Sequence, residues 1–357
     1  MGDQVIIGYS FWGFLGPGIT DTPDGGRSHR RPLIDALIAA GHRVIFLQAD
    51  RDRLEAGDDL GGHSTFDDGF PAIDVLFLEW RWPIPGRNTT PCRTALHTCD
   101  LHRQQELMDR YTIIRATPTV IWDKDRQLPG NSPWRNRPGV VVCEAALAPT
   151  AGARSLLFPL DDAVLEAADP AALAARARPY PLCYVGNQYD RDEAFAAYFA
   201  PAAARLPHQV AGKWRDTRPW PDVNFIGRVP FAEVGRMYGE SLATVLLLPD
   251  RYAAAGQMTQ RIFEAVVAGC IPLAPSAISH VEEFVPEELI IGDGADVIAA
   301  VHRLYTIAGT GRHADLIAAC LAKLEMFRLS HQLRTLEAIL ADLVVNRSAR
   351  RPSGARS

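Results

Sequence analysis

The chain has 357 residues, 47% hydrophobic and 22% charged, with 28 Gly and 26 Pro, a soluble globular composition long enough for two domains of ordinary size. Its net charge of -5 argues against a protein whose main work is gripping nucleic acid. No run of about 18 apolar residues exists, so no membrane span is expected. The start MGDQVIIGYS lacks the basic segment of a signal peptide, and a cytoplasmic protein is the expectation. The six cysteines (Cys92, Cys99, Cys143, Cys183, Cys270, Cys320) form no CxxC pair and no zinc spacing. His97 and His102 lack a third ligand at helical spacing, so reduced thiols and no metal are expected.

In chain order, short apolar β-branched runs alternate with helical segments, the pattern of βα units around parallel sheets. The first half offers QVIIGY, RVIFLQ, DVLFLEW, TVIWD and GVVVCE as strands. The second offers LCYVGN, HQVAG, NFIGRV, ATVLLLP, CIPLAP and ELIIG. Between them lies an Ala- and Pro-rich stretch that places a domain boundary near residues 165 to 178. After ELIIG only helices are expected, over 294–309, 312–327 and 329–346. The basic end from 347 to 357 reads as a disordered tail. Two open α/β domains create a cleft at the carboxyl ends of both sheets, where ligands bind.

The loop from Ser10 to Pro23 is long for a βα connection, and such loops are often functional. It ends in DGGRS. Gly25 and Gly26 would let a phosphate or sugar approach the start of the next helix; equally, they form a flexible turn with Ser28 or Asp24 as N-cap. DGGRSHRRPLIDALIAAGHRV resembles the opening of a GT-B glycosyltransferase, and that resemblance places Gly25, Gly26 and Arg27 toward the donor diphosphate and the acceptor. Trp12 and Phe14 would wall an acceptor pocket, unless they face the core.

In the second half, LCYVGNQYDRDEAF is a strand, a glycine turn with Gly186 and Asn187, and a helix near Arg191. A second strand–turn follows at Gly227, then GQMTQRIFEAVVAG. This order resembles the nucleotide-sugar-binding half of GT-B glycosyltransferases, closest to the spore-maturation-protein-like, group 1 branch. It covers about residues 182 to 305, with a weaker match over 1 to 50. The resemblance implies that Arg261 binds the diphosphate and Glu264 the ribose hydroxyls. Thr259 would cap the helix, with Gly256, Gln257 and Met258 offering backbone donors before it. An intrahelical Arg261–Glu264 ion pair is the alternative. The first of two glutamates common in retaining members is replaced by Gly256. Asn187 stands where an arginine is usual, Arg191 falls near the usual lysine, and Lys213 or Arg215 could substitute. Arg228, beside Gly227, is expected near the base.

Toward the acceptor, Arg81, Arg87, Asp100, His102, Asp123 and Asp125 follow strand ends, where a carboxylate or imidazole could deprotonate a hydroxyl. The resulting expectation is an α/β, GT-B chain of two Rossmann-like domains (1–165 and 175–328) with a helix (329–346) crossing back to the first. It would move a hexosyl group from a nucleotide sugar such as a UDP-sugar to a small acceptor, with retention and no metal or other cofactor. Arg261, Arg191 and Asp100 are the expected catalytic residues. An epimerase or hydrolase of the same fold, a sugar-binding protein, and transfer to a macromolecule are the alternatives. The acidic balance disfavours DNA but leaves a carrier protein open.

Overall fold

The computed structural model describes residues 4–16, 26–60, 65–95 and 97–350, with side chains as far as 344. Seven strands form the first sheet: β1 (Ile6–Ser10), β2 (Arg43–Phe46), β3 (Thr65–Phe66), β4 (Val75–Glu79), β5 (Thr119–Trp122), β6 (Val140–Glu144) and β7 (Arg154–Ser155). Six form the second: β8 (Tyr180–Val185), β9 (His208–Ala211), β10 (Phe225–Gly227), β11 (Ser241–Val245), β12 (Ile271–Pro275) and β13 (Ile290–Ile291). Their orders are β3-β2-β1-β4-β5-β6-β7 and β10-β9-β8-β11-β12-β13. All neighbours are parallel. VLFLE and TVIW are buried at every position, which suits strands covered on both faces. The edge strands β3 and β7 carry no such pattern. Each is two residues long and exists only because a neighbouring edge pairs with it.

Strand order reverses between β1 and β4 in one sheet and between β8 and β11 in the other, where open sheets present a crevice. Loops at these ends meet across the molecule. Gln257 Nε2 donates to the Lys124 carbonyl at 2.6 Å and the Tyr252 hydroxyl to Asp125 Oδ1 at 2.6 Å. Leu147 and Ala148 N–H donate to the Gly256 and Ala255 carbonyls, each at 3.1 Å. The Lys124–Asp125 stretch therefore serves as an inter-domain clasp.

Between the halves, Asp162–Glu166 and Pro170–Ala174 are helices capped by the side chains of Asp161 and Asp169. The final helix, Leu329–Arg350, packs on the Arg27–Ala39 helix of the first domain. Gln332 Oε1 accepts from Leu157 N–H at 2.9 Å, and Arg154 pairs with Asp342 at 2.9 Å. Leu160 exchanges backbone hydrogen bonds with Phe327 and Leu329, both at 2.7 Å. Helical backbone continues to Arg350, correcting the expectation of a tail disordered from 347; residues 351–357 lie outside the described residues. Among the described residues, no helix is long and apolar enough to cross a membrane.

Candidate active site

β8 delivers Gly186 to the cleft. A Cβ there would come within 2.6 Å of Tyr184 Oη and 3.0 Å of Arg261 Nε. Gly212, at φ +139°, nests against it so closely that a Cβ would sit 2.1 Å from the Gly186 carbonyl. Only glycine permits both approaches. Asn187 Oδ1 accepts from Lys213 N–H at 2.8 Å, so Asn187 ties two turns together rather than reaching into the cleft.

Arg191 and Arg261 meet beside Gly186. Arg191 is 5% exposed and donates from Nη1 to the Tyr184 hydroxyl at 2.8 Å. Its Nε is buried with no hydrogen-bond partner among the described residues. Arg261, half-buried, opens the Arg261–Val267 helix. Among the described residues neither guanidinium forms an ion pair, and each lies in the other's field. Burial lowers the pKa of Arg191, and the charge of Arg261 lowers it further, against the pull of Tyr184. Burial also disfavours the charge on Arg261, but Tyr184, Tyr238 and Glu264 outweigh it and its pKa rises. Two partly desolvated cations with no carboxylate between them are costly, and an anion relieves that cost.

Glu264 forms no ion pair with Arg261. Its Oε1 instead accepts from Ser28 Oγ at 2.5 Å, which sets aside the intrahelical alternative. Oε2 has no hydrogen-bond partner among the described residues. Burial raises the pKa of Glu264, opposed by Ser28 and by the charge of Arg261. Ser28 is thus a cross-domain contact and not a cap. Gly26 holds the cap position of Arg27–Ala39 with no side-chain cap, while Asp24 and Gly25 lie outside the described residues. Arg27 donates to the Gly16 carbonyl at 2.9 Å and lies 5.0 Å over the Phe231 ring of the second domain.

Three donor-side expectations are corrected. Gln260, not Thr259, occupies the cap position of the Arg261 helix, with no side-chain cap bond. The N–H groups of Gly256 and Gln257 already donate to Ala253 and Tyr252, so they are not free for a diphosphate. Met258 is a core residue, and Gln257 holds the clasp. The helix is seven residues long, ending before Gly269 at φ +80°; its dipole is small, and the arginines carry the site's charge. Lys213 is half-buried and Arg228 exposed beyond β10.

The first domain's side rests on a buried group that no motif announced. Glu79, at the end of β4, takes the Arg30 fork at 2.8 Å on each oxygen, Lys124 Nζ at 2.6 Å and the Tyr9 hydroxyl at 2.6 Å. Burial alone would raise its pKa; Arg30 and Lys124 outweigh burial and hold it well below the usual range. This fork fixes the helix that presents Ser28. The available signal was a glutamate ending an otherwise apolar strand at the switch point.

Asp100 is buried at the start of the Asp100–Leu107 helix. It accepts from Arg81 Nε (3.2 Å), Arg87 Nη2 (3.3 Å), Asn88 Nδ2 (3.3 Å) and Thr98 Oγ1 (2.9 Å). Arg51 lies over the Trp12 and Phe14 rings at 4.3 and 4.4 Å. Trp12 stays half-exposed, but Phe14 is buried, so an acceptor wall there cannot include Phe14. Asp123 is likewise internal, not open to an acceptor. Burial pushes its carboxyl up to about 6, against N–H donation from Gln127 and Leu128. Asp125 is taken by Tyr252. His102 is exposed in the first turn of the Asp100–Leu107 helix, its Nδ1 3.2 Å from Cys92 Sγ. A cavity of about 360 Å³ beside the clasp, lined by Arg126, Pro129, Glu144, Arg251 and Ala254 among others, is separate from the two-arginine cleft.

Residues 191–307 match the family model described as Glycosyl transferase-like, a span that contains Arg191, Arg261 and Glu264. The whole chain is similar in structure to T4 phage BGT in complex with UDP and Mn2+, at 12% identity and TM-score 0.63, over 94% of this chain and 99% of that one. The fold is GT-B. A glycosyltransferase involved in avilamycin A biosynthesis, AviGT4, is similar at 13% identity and TM-score 0.59, over 96% and 98% of the two chains. So is an alpha-glucosyltransferase in complex with UDP-glucose and DNA containing an abasic site, at 10% identity and TM-score 0.59, over 95% and 99%. No curated protein matches the chain. Nothing in these likenesses singles out the spore-maturation-protein-like branch.

Proposed function

We propose that this glycosyltransferase-like chain moves a hexosyl group from a UDP-sugar to a hydroxyl of a small acceptor, with retention at the anomeric carbon. The observation that carries the reading is the Arg191–Arg261 pair, two partly buried guanidiniums with no ion-pair partner among the described residues, set beside Glu264. A nucleoside diphosphate answers both features: its phosphates engage the two forks and its ribose hydroxyls donate to Glu264. In transfer, the anomeric C–O bond to the β-phosphate breaks and its electron pair stays on the phosphate oxygen, where the two arginines stabilise the growing charge. The acceptor oxygen forms the new bond and its proton passes to that phosphate oxygen. Asp100 and Glu79 are fully engaged by cations and hydroxyls, so neither stands ready as a base, which supports retention. In this reading Asp100, Arg81 and Trp12 position the acceptor. No metal is assigned to the step, because the arginines supply the positive charge.

The chain's net charge of -5 supports a small acceptor over DNA, although two structural neighbours were solved with DNA and another is described as a DNA modifying enzyme. Calorimetry with UDP, ADP and GDP tests the donor site. Transfer from UDP-sugars to polyol, phenol, carrier-protein and modified-DNA acceptors, with NMR of the product anomer, tests the rest. Absence of nucleoside diphosphate binding would defeat the proposal; DNA as the sole acceptor, or an inverted product, would overturn the corresponding half.

A further inference from the structure

Cys92, His97 and Cys99 lie on the loop between β4 and the Asp100–Leu107 helix, and His102 lies in the first turn of that helix. One ligand atom from each lies within 4.8 Å of all the others. Cys92 Sγ is 3.2 Å from His102 Nδ1, and the two imidazole centroids are 5.8 Å apart. His97 Nδ1 is 3.0 Å from Thr90 Oγ1, while its Nε2 is buried and has no hydrogen-bond partner among the described residues. That is how a metal-ligating histidine is held: one nitrogen tied outward, the other aimed inward.

We propose that these four side chains bind one zinc ion as a closed structural site. Two thiolates and two imidazoles are a zinc ligand set, and with all four positions filled by protein no open coordination site is left for catalysis. Tetrahedral zinc, with Zn–S about 2.3 Å and Zn–N about 2.0 Å, has ligand edges of roughly 3.3 to 3.8 Å. The four atoms therefore need to close by only about an ångström. The order Cys-x4-His-x-Cys-x2-His interleaves the two ligand types, so it matches no common finger spacing. The site's purpose follows from its neighbours. Asp100 directly follows Cys99, and Thr98, between His97 and Cys99, donates to Asp100 at 2.9 Å. Zinc would pin the long loop and with it the Arg81–Arg87–Asp100 cage.

Elemental analysis of the full chain, purified in reductant without chelator, tests this directly, followed by exchange with Co2+. About one zinc per chain is expected, with the visible d–d and thiolate charge-transfer bands of tetrahedral cobalt. Replacing both Cys92→Ser and Cys99→Ser should abolish both signals, whereas Cys320→Ser, far from the cluster, should leave them. Folded wild-type protein that takes up no zinc, a Cys92–Cys99 disulfide in its place, or zinc retained by the double variant would each overturn the proposal. If the double variant fails to fold, wild-type zinc content and the cobalt spectrum still decide.

Discussion

Ser28 Oγ and Glu264 Oε1 are 2.5 Å apart, although 236 residues separate them in the chain. The same bond closes one domain on the other and occupies one oxygen of the carboxylate assigned to the ribose. Ser28→Ala should therefore tighten UDP binding several-fold while lowering thermal stability slightly. Glu264→Ala should weaken UDP binding about 10- to 100-fold, the range for hydrogen bonds to a charged group. In the Glu264→Ala background the Ser28 effect on affinity should vanish. Calorimetry on the four proteins of this cycle checks it; additive effects would show that the two residues do not act on the nucleotide together.

Arg261 opposes Arg191 but its charge is favoured by Tyr184, Tyr238 and Glu264, so removing it should cost the fold only a little. Arg261→Gln is expected to lower the melting temperature slightly, yet to cut UDP affinity at least about tenfold. Arg261→Lys keeps the charge but loses the fork, and should still lower turnover. A melting point several degrees lower with unaltered nucleotide affinity would make Arg261 a structural residue.

Asp123 gives a pH signature. Its carboxyl is raised to about 6 in the folded protein from an ordinary 3.8, so the folded state binds the proton more tightly than the unfolded one. Its contribution to stability grows as pH falls through about 6 and levels off below about 4. Relative to Asp123→Asn, the wild type should gain about 1.4 kcal/mol between pH 8 and pH 5. Glu79 and Glu144, both held low, act in the opposite sense, and their stabilisation is lost only as pH falls below the usual carboxylate range. Urea unfolding of both proteins at the two pH values measures the difference; a gap that does not move with pH would exclude the shifted carboxyl.

Ending the chain after Arg328 removes Gln332, Asp342 and the Leu329 N–H that donates to Leu160. The truncated protein should be insoluble or melt many degrees lower, whereas deletion from Arg347 should cost little. Thermal unfolding decides, and an active, equally stable protein ending at 328 would contradict the packing described.

The sequence by itself determined the architecture and the placement of Arg261 with Glu264 on one helical face. Continuous β-branched runs spaced by helices can satisfy their apolar faces only in covered parallel sheets, and TQRIFEAVVAG places an arginine and a glutamate three apart on one helical face. These are local patterns with fixed periods, legible without knowing what packs against them. Tertiary structure decided everything that depends on distant partners. Glu264 could have paired with Arg261 three residues away, but it bonds to Ser28 because the first domain's helix arrives there. Thr259 and the Gly256–Gln257 N–H groups looked available for phosphate until the turn folded their neighbours onto them. Asp123 and Asp125 follow a strand end like candidate bases, but Asp123 turns inward to the Gln127 and Leu128 N–H groups while Tyr252 reaches Asp125 from the other domain. Glu79 ended a strand like any other residue until Arg30, Lys124 and Tyr9 converged on it from three separate segments. The Cys92–His97–Cys99–His102 cluster was hidden for a related reason: a ligand set is defined by convergence in space, and here a loop and the first turn of the following helix achieve it with a spacing that neither would give alone.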